Sequence, residues 1–159
     1  MKANDKTNVM RILDSKKIAY EVHTYDADPA LTGEDIAKIL GEDPDKVFKT
    51  LVTTGKTGAY YVFVVPVPGE LNLKKAAKAA GEKSIVMIKQ KDLLPLTGYV
   101  HGGCSPVGMK KQFKTFIHET ACGYDKIFVS GGRVGAQIEV EADKLISLVG
   151  CIPADIIGE

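Results

Sequence analysis

The chain is short of several things, and each shortage removes a class of function. Lysine and arginine total 21 against 20 aspartates and glutamates, a net charge of +1, so nothing in the total charge marks a general nucleic-acid-binding surface. No apolar run approaches the ~18 residues that span a bilayer, and the start, MKANDKTNV, has no apolar signal core; a cytoplasmic protein that does not engage membranes is expected. Cysteine is scarce: Cys104, Cys122 and Cys151 are odd in number and far apart, with no CxxC spacing. Neither a disulfide framework nor a zinc site follows, and the expectation is reduced thiols and no metal. Nor is there an internal repeat, a low-complexity tract or a linker, so the 159 residues fit one domain able to bury roughly 70% of its unfolded surface.

What is present is glycine in two crowded places. Gly98 to Lys111 reads GYVHGGCSPVGMKK, with four glycines and Pro106 among polar and short apolar residues, which suits neither a strand interior nor a helix. Ser130-Gly131-Gly132-Arg133-Val134-Gly135 follows a strand-like run in the same way. Glycines let a main chain approach a ligand closely and point N–H groups into it, so two such loops after strands suggest one cleft.

The remaining chain alternates between two periodicities. Val9, Ile12 and Leu13 predict an opening helix over residues 5–16, capped by Asn4 or Asp5, and residues 18–25 alternate as a half-buried strand. Thr32 predicts the N-cap of a second helix closed by Gly41, and Asp43-Pro44 a brief turn. Residues 47–54 predict a strand; the continuous apolar run 59–67 predicts a central strand covered on both faces. Asn72 caps an Ala-rich helix ending at Gly81, residues 84–88 form a short strand, and Lys91 to Leu94 a helical turn ended by Pro95. Strands follow over 113–117, 126–130 and 136–140, the last two joined by the SGGRVG turn as an antiparallel ribbon, then a helix over 141–149 and a tail without signal. This is an α+β fold with one mixed, mostly antiparallel sheet or a partly closed barrel.

Lys49 is the conspicuous charge, set in Val-Phe-Lys-Thr-Leu-Val, a run otherwise built for burial. It either points into solvent from a strand or sits at a cleft wall, where an ammonium neutralises an anion or stabilises developing negative charge. His101 and Cys104 invite a thiol-nucleophile reading, but nothing marks a third residue to orient the base. Ser105 and Ser130 lie outside any GxSxG context and suit hydrogen bonding to a ligand. His23 and His118 stand in strand contexts with no second ligand at metal spacing, and Tyr25 offers a hydroxyl or a stacking face. Two lysine groups, Lys74, Lys75, Lys78 and Lys110, Lys111, Lys114, could meet phosphates or be solvated faces.

Five blocks in order, HTY at His23 to Tyr25, VFKTLV from Val47, ELNLKKAAKAAG from Glu70, TGYVHGGCSPVGMKK from Thr97 and IFVSGGRVGAQIEV from Ile127, resemble the YbaK/EbsC family. These are freestanding relatives of the bacterial prolyl-tRNA synthetase editing domain. The resemblance implies an enzyme that deacylates mischarged tRNA, chiefly cysteine on proline tRNA, by attack of the substrate thiol on its own ester, without a cofactor. It implies as partners the tRNA acceptor end and prolyl-tRNA synthetase, with no DNA. Lys49 matches the family's functional lysine; Tyr25, Gly102, Gly103, Ser105, Pro106, Gly108, Ser130, Gly131, Gly132 and Gly135 match its substrate-binding positions. Gln137 stands where the family pattern has an aspartate, so a neutral amide replaces a carboxylate, and no phenylalanine appears between Asp26 and Gly33. Deacylation of alanyl- or seryl-tRNA by an activated water, or a non-catalytic module binding tRNA or the synthetase, are the competing expectations.

Overall fold

The computed structural model describes residues 6–28 and 30–158; the expected caps Asn4 and Asp5 and the loop residue Pro29 lie outside them. The elements run α1 (Asn8–Ser15), β1 (Tyr20–Thr24), α2 (Gly33–Leu40), β2 (Phe48–Gly55), β3 (Tyr60–Pro66), α3 (Leu73–Ala80), β4 (Ile85–Met87), α4 (Gln90–Thr97), β5 (Lys114–His118), β6 (Lys126–Arg133), β7 (Ala136–Glu141), α5 (Ala142–Val149) and β8 (Ile152–Ala154).

Among the described residues the strands divide between two sheets, neither of which closes on itself. One is a three-stranded antiparallel sheet, β1-β7-β6. The other, in the order β4-β2-β3-β5-β8, is mixed: β4, β2 and β3 run antiparallel, and β5 and β8 add on in parallel. The α+β class stands, with two sheets where one was expected.

β3 explains the layering. Its side chains alternate with period two, so Val62 and Val64 enter one core while Phe63 and Val65 enter another, and all four are fully buried. The first core joins β2 and β3 to the three-stranded sheet through Phe48, Val52, Val129 and Ile138, with Val9, Met10 and Leu13 of α1 and Leu145 of α5. The second packs Ala76 and Ala77 of α3 against Phe63, Phe116 and Ile156, with the Phe63 and Phe116 rings stacked at 5.3 Å. Small side chains on α3 let it approach the sheet closely, and each large side chain fully buried in these cores is worth roughly 1.5–3 kcal/mol.

The caps follow the chemistry read from sequence at α2 and α3. Thr32 and Asp35 form a reciprocal capping box, Asn72 accepts from Lys75 N, and Gly41 and Gly81 close the helices in the left-handed region. Two expectations need correction. Pro95 lies inside α4 rather than ending it; the N–H it lacks is the one that a regular helix would aim at the carbonyl of Lys91, an exposed residue. The tail, which carried no signal, adds β8 to the sheet, buries Ile156 completely and is tied down by Lys75, whose Nζ donates to Asp155 Oδ2 (3.0 Å) and Ile157 O (2.9 Å). Lys75 is therefore committed to the fold, while Lys74 and Lys78 stay exposed. No described helix is long and apolar enough to cross a membrane.

Candidate active site

The opening between the sheets arises at one strand edge. β2 pairs with β3 along its whole length, but β4 covers its other edge only from Thr53 to Gly55. A single parallel bridge from Val47 to Phe128 of β6 closes the near end. Beside the uncovered stretch from Phe48 to Leu51 lies a cleft of about 460 Å3, within the usual size for a small-molecule site. Its wall includes Lys49, Thr50 and Leu51 of β2, Leu31, Thr32 and Ile36 at the start of α2, and Val129, Ser130 and Gln137 of the second sheet. Tyr25, Glu34, Glu70, His101, Gly102 and Cys104 also contribute.

Five of the residues expected from sequence thus meet at one cleft: Lys49, Tyr25, Gly102, Ser130 and Gln137. Lys49 is half-buried, and among the described residues no carboxylate pairs with it. Ser130 is turned toward the cleft at a β-bulge, where the β6–β7 register shifts between Ser130 and Arg133, and its Oγ accepts from Gly132 N at 3.1 Å. Its hydroxyl proton is left for a ligand. Tyr25 is fixed by its backbone N–H, which donates to Gly135 O at 3.0 Å; burial raises its phenol above the ordinary range, so the hydroxyl stays a donor.

The other seven do not line the cleft, and the reason is packing. Ser105 is fully buried and its Oγ accepts from Val107 N at 3.2 Å, shaping its own loop. Pro106 is buried beside it. Gly103 is pressed against the second glycine loop: an added Cβ would stand 3.0 Å from Arg133 Cα and 3.1 Å from Val134 N. Gly131 accepts from Thr7 Oγ1 at 2.6 Å, and the same hydroxyl caps α1 by accepting from Met10 N at 3.3 Å. Gly132, at φ 102°, leaves no room for a Cβ beside Val9. Gly108 packs on Ile12, and Gly135 on the Tyr25 carbonyl. These glycines hold the two loops against each other and against α1, and of the expected loop residues Gly102 and Ser130 line the cleft.

The histidine and cysteine readings also resolve. Burial pushes the Cys104 thiol up to about 12, so it is protonated at neutral pH and a poor nucleophile. His118 is buried, its Nδ1 accepts from Ile156 N, and burial lowers its pKa, which makes it a core histidine. His23 Nε2 lies 3.0 Å from Glu139 Oε1, and strand pairing sets Glu21 opposite Glu139, so the three ligand atoms fall within 4.8 Å of one another. Cross-strand pairing assembles this group, which spacing along the chain does not reveal; none of the three lines the cleft.

Sequence reasoning missed Glu42 and Thr50. Gln137 is almost wholly buried, and its Nε2 donates to Glu42 Oε1 at 2.9 Å. Gln137 Oε1, Glu42 Oε2 and Thr50 Oγ1 are buried without a partner among the described residues. Burial raises the Glu42 carboxyl above its usual value, opposed by the Gln137 hydrogen bond. Glu42 follows the helix-closing Gly41 and gave no sign of facing anything but water.

Known proteins place this geometry. The chain is 44% identical over 148 residues to the candidate Cys-tRNA(Pro)/Cys-tRNA(Cys) deacylase EbsC of Enterococcus faecalis, covering 92% of this chain and 90% of that one. It is 30% identical over 126 residues to the proline–tRNA ligase of Fervidobacterium nodosum, covering 74% of this chain but only 21% of the ligase. The crystal structure of a candidate trans-editing enzyme for prolyl-tRNA synthetase superposes with a TM-score of 0.84 at 26% identity, over 95% of both chains. The sequence profile of the aminoacyl-tRNA editing domain matches residues 27–148, and with this cleft and these relatives the chain belongs to the aminoacyl-tRNA editing domain family.

Proposed function

We propose that the protein clears mischarged aminoacyl-tRNA in trans, chiefly cysteine esterified to proline tRNA, and that the cysteine's own thiol breaks the ester. The observation that carries this reading is a cleft in which, among the described residues, the ammonium is unpaired and no side chain is a competent nucleophile. Lys49 faces the opening without a carboxylate partner, the Cys104 thiol is held protonated, and no imidazole among the described residues hydrogen-bonds Ser130 Oγ. A site of this kind suits a substrate that brings its own attacking group.

The chemistry balances without a protein nucleophile. The substrate sulfur bonds to its ester carbonyl carbon, the bond from that carbon to the ribose oxygen breaks, and the thiol proton ends on the departing ribose hydroxyl. The product is a cyclic thioester, which water opens to free cysteine. Lys49 stabilises the negative charge that builds on the carbonyl and ribose oxygens, while the Gly102 main chain and the Ser130 hydroxyl orient the terminal sugar.

Proline and cysteine are close in size, so a synthetase pocket for one rejects the other poorly, and later hydrolysis is the available remedy. A net charge of +1 favours contact with the single-stranded acceptor end over a grip along the whole tRNA, with prolyl-tRNA synthetase holding the remainder. Exposed Lys110 and Lys111, at the end of the first glycine loop, suit the adjoining phosphates.

The test is a deacylation panel. Cysteinyl-tRNA(Pro) should lose its ester much faster with the protein than without it, and alanyl- and seryl-tRNA(Pro) should be nearly stable. An unchanged cysteinyl half-life removes the proposal; rapid alanyl hydrolysis replaces the thiol route with an activated water.

A further inference from the structure

The cleft holds polar atoms that its own fold does not use. Gln137 is 3% exposed, yet its Oε1 has no partner among the described residues, and Thr50 Oγ1 is in the same position; both residues line the cleft. A buried amide or hydroxyl oxygen left without a donor is destabilising, so two in one wall point to a ligand that supplies N–H or O–H groups.

Glu42 decides which end of the amide is offered. An ionised carboxylate only accepts, so Gln137 must turn its NH2 group toward Glu42, and the 2.9 Å bond from Nε2 to Oε1 is that arrangement. The carbonyl oxygen is then committed to the other direction. Glu42 does not line the cleft itself but borders a neighbouring hollow with Lys46, Phe128 and Glu139. It stands behind the amide and adds negative charge where a cation would sit.

We propose that Gln137 Oε1 and Thr50 Oγ1 receive the protonated α-amino group of the aminoacyl ester, and that Glu42 is the positioning residue that sets the Gln137 amide for this task. The inference rests on the deacylase reading above and adds the subsite for the amino group. An ammonium suits the cleft better than a sugar hydroxyl because it brings three donors and a positive charge to unpartnered oxygens backed by a carboxylate. A hydroxyl brings a single donor proton and no charge to meet the carboxylate behind them.

The experiment compares cysteinyl-tRNA(Pro) with 3-mercaptopropionyl-tRNA(Pro), which keeps thiol and ester and lacks only the amino group. Each rate is divided by its protein-free rate, which removes the amino group's intrinsic effect on thiol and ester. The wild-type protein should prefer the cysteinyl ester on the order of tenfold or more in kcat/KM, the scale of a charge-assisted hydrogen bond. Glu42→Gln leaves the Gln137 amide without a fixed orientation, and Gln137→Leu removes it; in both the ratio should fall to near one. Thr50→Val should lower the ratio and Thr50→Ser, which keeps the hydroxyl, should restore it.

Equal handling of both esters by the wild-type protein overturns this inference and leaves the deacylase reading intact. Variants that lose activity toward both esters in equal proportion also overturn it, since a purely structural role predicts that result. Hydrolysis of neither ester by the wild-type protein removes the deacylase reading itself.

Discussion

Whose sulfur reacts can be decided on Cys104 alone. Burial lifts its thiol from the usual 9.0 to about 12, which lowers the ionised fraction about a thousandfold. At pH 7.5 an ordinary thiol is about 3% thiolate, and Cys104 on this shift is about 0.003%. Cys151 is held up in the same way, whereas Cys122 is exposed. Alkylation of the native protein by iodoacetamide, followed residue by residue by mass spectrometry, should modify the exposed Cys122 promptly and Cys104 and Cys151 far more slowly. All three should react together in denaturant. Cys104→Ala should deacylate cysteinyl-tRNA(Pro) within about threefold of wild type, because the proposed route forms no bond to the enzyme. Native alkylation of Cys104 as fast as Cys122, with activity lost in parallel, would refute the reasoning and make this thiol the nucleophile.

Three further outcomes follow from the same geometry. Lys49→Met keeps the stem and removes the charge, so single-turnover deacylation should fall about 10²- to 10³-fold at unchanged thermal stability, and more than half the wild-type rate would exclude electrostatic stabilisation by this group. Gly103→Ala drives a Cβ to 3.0 Å from Arg133 Cα, and the loops must part, lowering stability by about 1–3 kcal/mol in a denaturant titration; an unchanged midpoint would show that the loops are not clamped there. The thiols also set an alkaline limit. For Cys104 and Cys151 the folded pKa is raised, so their contribution is intact below about pH 9 and is lost as pH rises toward 12. Thermal unfolding of the Cys104→Ala, Cys151→Ala double variant should accordingly depend less on pH between 9 and 11 than that of wild type.

Local chemistry made much of this fold readable. Thr32, Asn72, Gly41 and Gly81 terminate helices through groups within four residues of themselves, and the run from Tyr60 to Pro66 announces burial on both faces by its lack of alternation. Pairing between distant segments was not readable. β8 is an Ile-Pro-Ala triplet with no strand signature, and only the neighbouring β5 makes it a strand. The cleft divided along the same line. Lys49 stood out because a charge in an apolar run is anomalous, and Gly102 and Ser130 because their loops were; Glu42 and Thr50 are unremarkable until the fold sets them beside other residues. Gly103, Gly131 and Gly132 lie off the cleft wall, since glycine serves the contact of two backbones as readily as that of a backbone with a ligand.

The half-covered strand β2 acts as a gauge. Its bare stretch, Phe48 to Leu51, is fenced at one end by the bridge to Phe128 and at the other by the bond from Ile88 N to Val52 O, and at about 3.4 Å per residue it is about 14 Å long. One extended nucleotide with its amino acid can lie along such a slot, whereas a base-paired stem, with two backbones, must halt outside. On the proposed deacylase reading, the sheet's own geometry then admits the unpaired tip of the tRNA before any side chain inspects what that tip carries.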